Sequence, residues 1–118
     1  MKKPLAVSAH GIIDYTYAAV VPHIPELVGF NNQVAPTAIC RALGAGALTY
    51  TLLTDAKWGL IKLIPMRTHL LLDLSASTFA ILSPWLLGFQ KKNARNALML
   101  IGATGLLVSL LTDARKRN

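Results

Sequence analysis

The sequence predicts an all-α protein: a four-helix transmembrane bundle made of two parallel two-helix repeats with a pseudo-two-fold axis along the membrane normal. Three observations carry this expectation. The chain is 53% hydrophobic and only 14% charged over 118 residues, whereas soluble domains carry about 25% charged residues. Four apolar segments approach the roughly 20 residues that a membrane-spanning helix needs. Polar residues of the first half recur in the second half at a nearly constant offset. The chain 1–118 therefore reads as one transmembrane domain, with repeat 1 over about 8–57 and repeat 2 over about 67–115.

The first apolar segment covers residues 8–21, with Ser8 as its expected N-cap. Pro22 and Pro25 mark where its regular helix ends or kinks. It is the most polar of the four, since His10, Asp14, His23 and Glu26 fall in or beside it. The second covers 34–54, with Arg41 as its one charge before the terminal Thr54. The third covers 69–89, with Thr68 as the expected cap, and the fourth covers 96–112 without any charge. Between the second and third lies 56–67, where Trp58, Leu60, Ile61, Leu63 and Ile64 mix with Lys57, Lys62 and Arg67. This pattern suits a segment lying in the membrane interface, or a loop with a tryptophan anchor.

Net charge is +7, but the basic residues fall in the gaps between apolar segments, as topology signals do. Nucleic-acid binding is not expected; the expected partner is the lipid bilayer. Four spans place both termini and the middle connection on one side, with Lys2, Lys3, Lys57, Lys62, Arg67, Arg115, Lys116 and Arg117. Lys91, Lys92 and Arg95 lie opposite, with Arg41 some way into the second span. The excess of positive charge predicts cytoplasmic termini, in a bacterial inner membrane. Met1-Lys2-Lys3 before an apolar run resembles a signal peptide, but His10 and Asp14 interrupt the run and no small-residue cleavage site follows. The one cysteine, Cys40, allows no intrachain disulfide.

At an offset of 59, His10 matches His69, Asp14 matches Asp73, Pro25 matches Pro84, and Leu27, Gly29 and Phe30 match Leu86, Gly88 and Phe89. At an offset of 58, Gly44-Ala45 matches Gly102-Ala103, and Leu52-Leu53-Thr54-Asp55-Ala56-Lys57 matches Leu110-Leu111-Thr112-Asp113-Ala114-Arg115. Apolar helices resemble one another by chance; polar residues in register do so much less. Two helices per unit bring both copies into the membrane in the same direction.

With Ser83-Pro84-Trp85 in the third segment, the chain resembles the SPW-repeat family of small integral membrane proteins. The resemblance covers both units and implies this fold and a membrane location, with no activity attached. The first unit departs from it, carrying Ile24-Pro25-Glu26 in place of Ser-Pro-Trp. Pro84 removes one backbone hydrogen bond, leaving the Ala80 carbonyl to find another donor, and it bends the helix. Trp85 would then sit at the interface.

His10 and Asp14 are four apart and share a helical face, as do His69 and Asp73. Asp55 and Asp113 end the returning helices on the same membrane side. A symmetric layer of His10, Asp14, Asp55, His69, Asp73 and Asp113 is therefore expected, facing inward because ionisable groups in lipid are costly. Three roles compete for it. It could be a structural clamp, with each histidine donating to an aspartate and Arg67, Lys57 and Arg115 balancing the rest, in a structural or accessory protein with no cofactor. It could be a site for zinc, manganese or iron, with a haem between His10 and His69 as a variant. It could be a proton or ion path, though beyond Asp73 the same face offers only Ser77, Ala80 and Pro84.

His23 and Glu26 suit an outward-facing ligand site or, more plainly, an exposed loop end. Ala38, Ala42 and Gly46 form a small-residue stripe, repeated more briefly by Gly105 and Ser109. Such stripes let helices approach closely, within the chain or in a homo-oligomer or larger membrane complex. No phosphate-binding loop, nucleophile elbow or zinc-knuckle spacing occurs, so an enzyme is not expected.

Overall fold

A computed structural model describes residues 3–89 and 91–114. Lys2, Arg115, Lys116 and Arg117, which entered the charge comparison, lie outside the described residues. Among the described residues all regular structure is helical: α1 (Val7–Val20), α2 (Ile24–Val28), α3 (Val34–Leu52), α4 (Met66–Leu87) and α5 (Lys92–Leu111). A 3₁₀ turn over Val21–His23 joins α1 to α2, and the missing amide of Pro22 lies in it. Of the two outcomes expected there, an end or a kink, the regular helix ends. α1 packs chiefly on α3, and α4 packs most extensively on α5.

Two helices, α4 and α5, are long and apolar enough to cross a membrane. In each, only 28% of the apolar window is buried within the protein. A core helix of a soluble domain would bury far more, so these apolar faces look outward. Ile12, Leu27, Leu71, Trp85, Leu86 and Leu100 are each more than 60% exposed.

The two long helices with the polar residues begin earlier than the cap residues predicted. α1 is preceded by Ala6 and α4 by Pro65, so neither Ser8 nor Thr68 serves as an N-cap. The cause is tertiary. Just before α1, Leu5 forms a parallel bridge to Thr112, with Leu5 N–H donating to Leu111 O at 3.0 Å and Asp113 N–H to Leu5 O at 2.8 Å. Just before α4, Ile64 forms a parallel bridge to Thr54, with Asp55 N–H donating to Ile64 O at 2.7 Å and Ile64 N–H to Leu53 O at 2.8 Å. Each bridge fixes where the chain turns into its helix.

The segment 56–67 is a folded loop up to Pro65, not an interfacial helix. Its amides cap the end of α3: Leu60 and Ile61 N–H both donate to Leu52 O, at 2.7 and 2.9 Å. These bonds satisfy carbonyls that a helix end leaves without partners. Trp58 is not an outward anchor, because its indole lies over Gly11, where no side chain obstructs it.

Pro84 sits inside α4, and Ser83 supplies what it removes. The Ser83 hydroxyl, fully buried, donates to Ala80 O at 2.8 Å. That is the carbonyl left without an amide donor by the proline ring. Trp85 is 63% exposed and points outward. Ser83→Ala should cost about 1–3 kcal/mol by leaving that carbonyl unsatisfied, read as a lower unfolding midpoint in detergent. Ser75→Ala is the control, because Ser75 is exposed and its hydroxyl only supplements an intact helical bond to Leu71 O.

Gly102 lies against the α4 backbone. A Cβ there would lie 2.6 Å from Ser77 O and 2.9 Å from Ile81 N. Gly105 also faces Ser77, and Ser109 is buried, so this short stripe does pack within the chain. The α3 stripe does not. Ala38, Ala42 and Gly46 are exposed, and the inward face of α3 carries Cys40, Gly44, Ala47 and Thr51. Four-residue spacing identifies a face; which face turns inward is decided here by the fit against α1 and its following turn.

Apolar residues collect in two clusters. The larger includes Val21, Phe30, Cys40, Ala80, Leu98 and Ile101; the smaller comprises Val7, Ala56 and Met66. Along α1 and α4, His10, Asp14, His69 and Asp73 fall between the two clusters.

Candidate functional site

α1 brings in His10 and Asp14, and α4 brings in His69 and Asp73. Four-residue spacing puts each pair on one face, and the two faces meet. Both histidines are fully buried and both aspartates are 8% exposed. One donor atom from each of the four residues can be chosen such that all lie within 4.8 Å of one another. The bonding is crosswise: His10 Nε2 lies 2.9 Å from Asp73 Oδ2, and His69 Nε2 lies 2.6 Å from Asp14 Oδ2. Within each helix the same atoms approach to 3.0 Å (His10–Asp14) and 3.3 Å (His69–Asp73). Each imidazole thus addresses both carboxylates.

The other ring nitrogens identify the tautomers. His10 Nδ1 lies 2.7 Å from Thr112 Oγ1, whose own proton is donated to Val108 O at 2.7 Å. His69 Nδ1 lies 2.7 Å from Thr54 Oγ1, whose proton is donated to Tyr50 O at 2.6 Å. Each threonine oxygen must therefore accept, and each Nδ1 must carry a hydrogen. What remains at Nε2 is a lone pair or a proton shared with the carboxylates. Lone pairs alone would repel carboxylate oxygens at these distances, so a proton or a cation belongs between each Nε2 and the carboxylates it faces.

A second ring of side chains holds the first. The Tyr50 hydroxyl donates to Asp73 Oδ1, leaving Oδ2 for the histidines. The Tyr50 and Trp58 rings pack edge-on against His69, with centroids 4.9 and 5.5 Å away. Trp58 Nε1–H donates to Val7 O at 2.8 Å. Beside the layer, Asp14, Tyr50, Asp73, Ser77, Gly105 and Ser109 border a cavity of about 30 Å³. The Ser109 hydroxyl is 3% exposed and has no hydrogen-bond partner among the described residues.

Of the six residues expected in the layer, four meet. Asp55 and Asp113 are not in that group; they follow Thr54 and Thr112, and it is these threonines that reach the histidines. Tyr50 and Trp58 were not expected in the site at all. Lys57 and Arg67 are exposed, and Arg115 lies outside the described residues. At the other end of the helices, Glu26 pairs with Arg41 through contacts of 2.6 and 2.8 Å, while His23 is exposed. Hydrogen bonding to that guanidinium holds the Glu26 carboxyl down at about 2, below the ordinary carboxylate range, which commits Glu26 to Arg41. A porphyrin does not fit between His10 and His69, whose ring centroids are 5.2 Å apart and roughly perpendicular.

No protein-family model, no curated protein and no solved structure matches the chain.

Proposed function

We propose that this is a small polytopic membrane protein of non-catalytic, structural or accessory role, whose His/Asp layer clamps two repeated halves together. The observation that carries the proposal is the crosswise bonding of His10 to Asp73 and His69 to Asp14. Neither helix satisfies its own polar pair as well as its counterpart does. Unsatisfied ionisable groups are expensive in a low-dielectric setting, so the two helices are bound to one register.

In this proposal α1 and α3 also cross the bilayer, and the chain is a pair of parallel repeats of the SPW-repeat kind. Supporting the repeat are the matched threonine contacts and the matched bridges, Leu5 to Thr112 and Ile64 to Thr54. Supporting a membrane location are the apolar, mostly outward faces of α4 and α5. The distribution of basic residues favours the layer lying near the cytoplasmic face of a bacterial inner membrane.

The test is a double-mutant cycle on His10→Ala and Asp73→Asn, with unfolding followed in detergent and a metal chelator present. Residues in direct contact couple by about 0.5–3 kcal/mol, and a coupling in that range is expected. Strictly additive losses would mean the pair does not hold the helices together.

A further inference from the structure

The geometry points to a metal site: His10 Nε2, His69 Nε2, Asp14 Oδ2 and Asp73 Oδ2 form a four-donor cradle for one first-row divalent cation of the zinc class. This deepens the clamp proposal by giving the same layer a ligand, and it rests on four features of the site.

The first is the direction of the lone pairs. Thr112 and Thr54 take the Nδ1 hydrogens, as argued from their own bonds to Val108 O and Tyr50 O. Both Nε2 atoms are thereby left as ligands facing the carboxylates. Metal-binding histidines characteristically have the second nitrogen held by an outer partner, which fixes the ring and its tautomer.

The second is donor separation. Ligands at about 2.0–2.1 Å from a tetrahedral ion lie about 3.3 Å apart. The four nitrogen–oxygen separations across the layer are 2.6, 2.9, 3.0 and 3.3 Å. Outward movements of a few tenths of an ångström bring the shorter of these to that value, the nitrogen–nitrogen and oxygen–oxygen pairs already lie within 4.8 Å, and no helix need shift register.

Charge supplies the third. Two carboxylates balance one dication, so an ion bound to two neutral imidazoles leaves the site with no net charge, which a buried position demands. Two nitrogens and two oxygens, with no sulfur, suit zinc, iron(II) or manganese(II) better than copper(I).

The fourth is the cavity. It borders both carboxylates, and its volume of about 30 Å³ exceeds the roughly 10–15 Å³ that one water needs. The buried, unpartnered Ser109 hydroxyl lines it. A water there would serve as an added ligand or outer partner of the ion.

The experiment uses tag-free, full-length protein in detergent, stripped with a chelator and titrated with Zn²⁺ alone. One zinc per chain is expected, and Co²⁺ in its place should give the intense visible bands of a tetrahedral site. Asp14→Asn and Asp73→Asn keep side-chain shape and should each weaken zinc binding at least tenfold, whereas His23→Ala should leave it unchanged. Thr112→Val should weaken it about 10- to 100-fold, the range for outer partners of a metal ligand. X-ray absorption on the zinc-loaded wild type should show nitrogen and oxygen ligands with two imidazoles, whether or not any variant folds. Substoichiometric zinc on helical, monodisperse protein would overturn the site, and so would a sulfur ligand from Cys40. The clamp is measured with chelator present, so a failed zinc titration leaves it standing, and a zero coupling there leaves the zinc result standing.

Discussion

His69→Ala should lower the unfolding free energy of the detergent-solubilised protein by about 3–5 kcal/mol, the range for removing one partner from a buried charge network. Two effects of different size compete at this position. A lost interhelical hydrogen bond between membrane helices averages only about 0.6 kcal/mol and reaches about 1.7. An uncompensated buried carboxylate costs more, and here it dominates. His69 contacts Asp14 at 2.6 Å, Asp73 at 3.3 Å and Thr54 at 2.7 Å, and two aromatic rings pack on it. Without it, two buried carboxylates share the single imidazole of His10. Urea or SDS titration followed by circular dichroism would read the loss. His23→Ala, at an exposed and unrelated position, should change stability by less than about 0.5 kcal/mol. A loss of under about 1 kcal/mol for His69→Ala would show that solvent already satisfies the carboxylates and that the layer holds little together.

Gly102→Val should be comparably damaging for a purely steric reason. A Cβ at this position meets backbone atoms of α4, at 2.6 Å from Ser77 O and 2.9 Å from Ile81 N. A flexible side chain could swing away from such a contact; a helix backbone has to move as a whole. Overpacking commonly costs 1–3 kcal/mol, and a clash against backbone at the most extensively packed helix pair should reach about 3 kcal/mol or more. Gly46→Ala gives the opposite sign. Gly46 faces open space, and alanine in a helix is favoured over glycine by about 0.5–1 kcal/mol. If both substitutions lowered stability equally, helix propensity and not contact would be the operative variable.

Much of the site was legible in the spacing of polar residues. A histidine and an aspartate four apart define a face, and a matching pair 59 residues later predicts where that face meets its partner. Asp55 and Asp113 illustrate the limit. Each follows a threonine just past a helix end, where helical spacing no longer sets the direction of a side chain. Which of the two meets the histidines depends on where the helix stops, and the two parallel bridges settle that through the chains preceding α1 and α4. Trp58 was legible as an amphipathic residue among lysines, which is equally the pattern of an interfacial anchor. Its inward position follows from the vacancy above Gly11, a property of two segments that no local pattern contains. The α3 stripe misled for a related reason: small residues permit close approach from either side, and Cys40, Gly44 and Ala47 offered an equally smooth face. The helix starts at Val7 and Met66 follow from backbone pairing and not from a capping side chain, so Ser8 and Thr68 were plausible caps that the tertiary contacts superseded.

The crosswise layer also orders events during synthesis. When α1 emerges from the ribosome, the partner of Asp14 is still 55 residues away, and those of His10 are 63 and 102 residues away. The helix that carries the first His/Asp pair is thus made before its partners and completed last. Its polar face must wait, hydrated, until α4 delivers His69 and Asp73 and the end of α5 delivers Thr112. A ribosome stalled between α4 and α5 would hold a chain whose four-residue ring can close while His10 Nδ1 still lacks its acceptor. Protease protection of α1 in such stalled chains should therefore rise in two steps, first with α4 and again with Thr112.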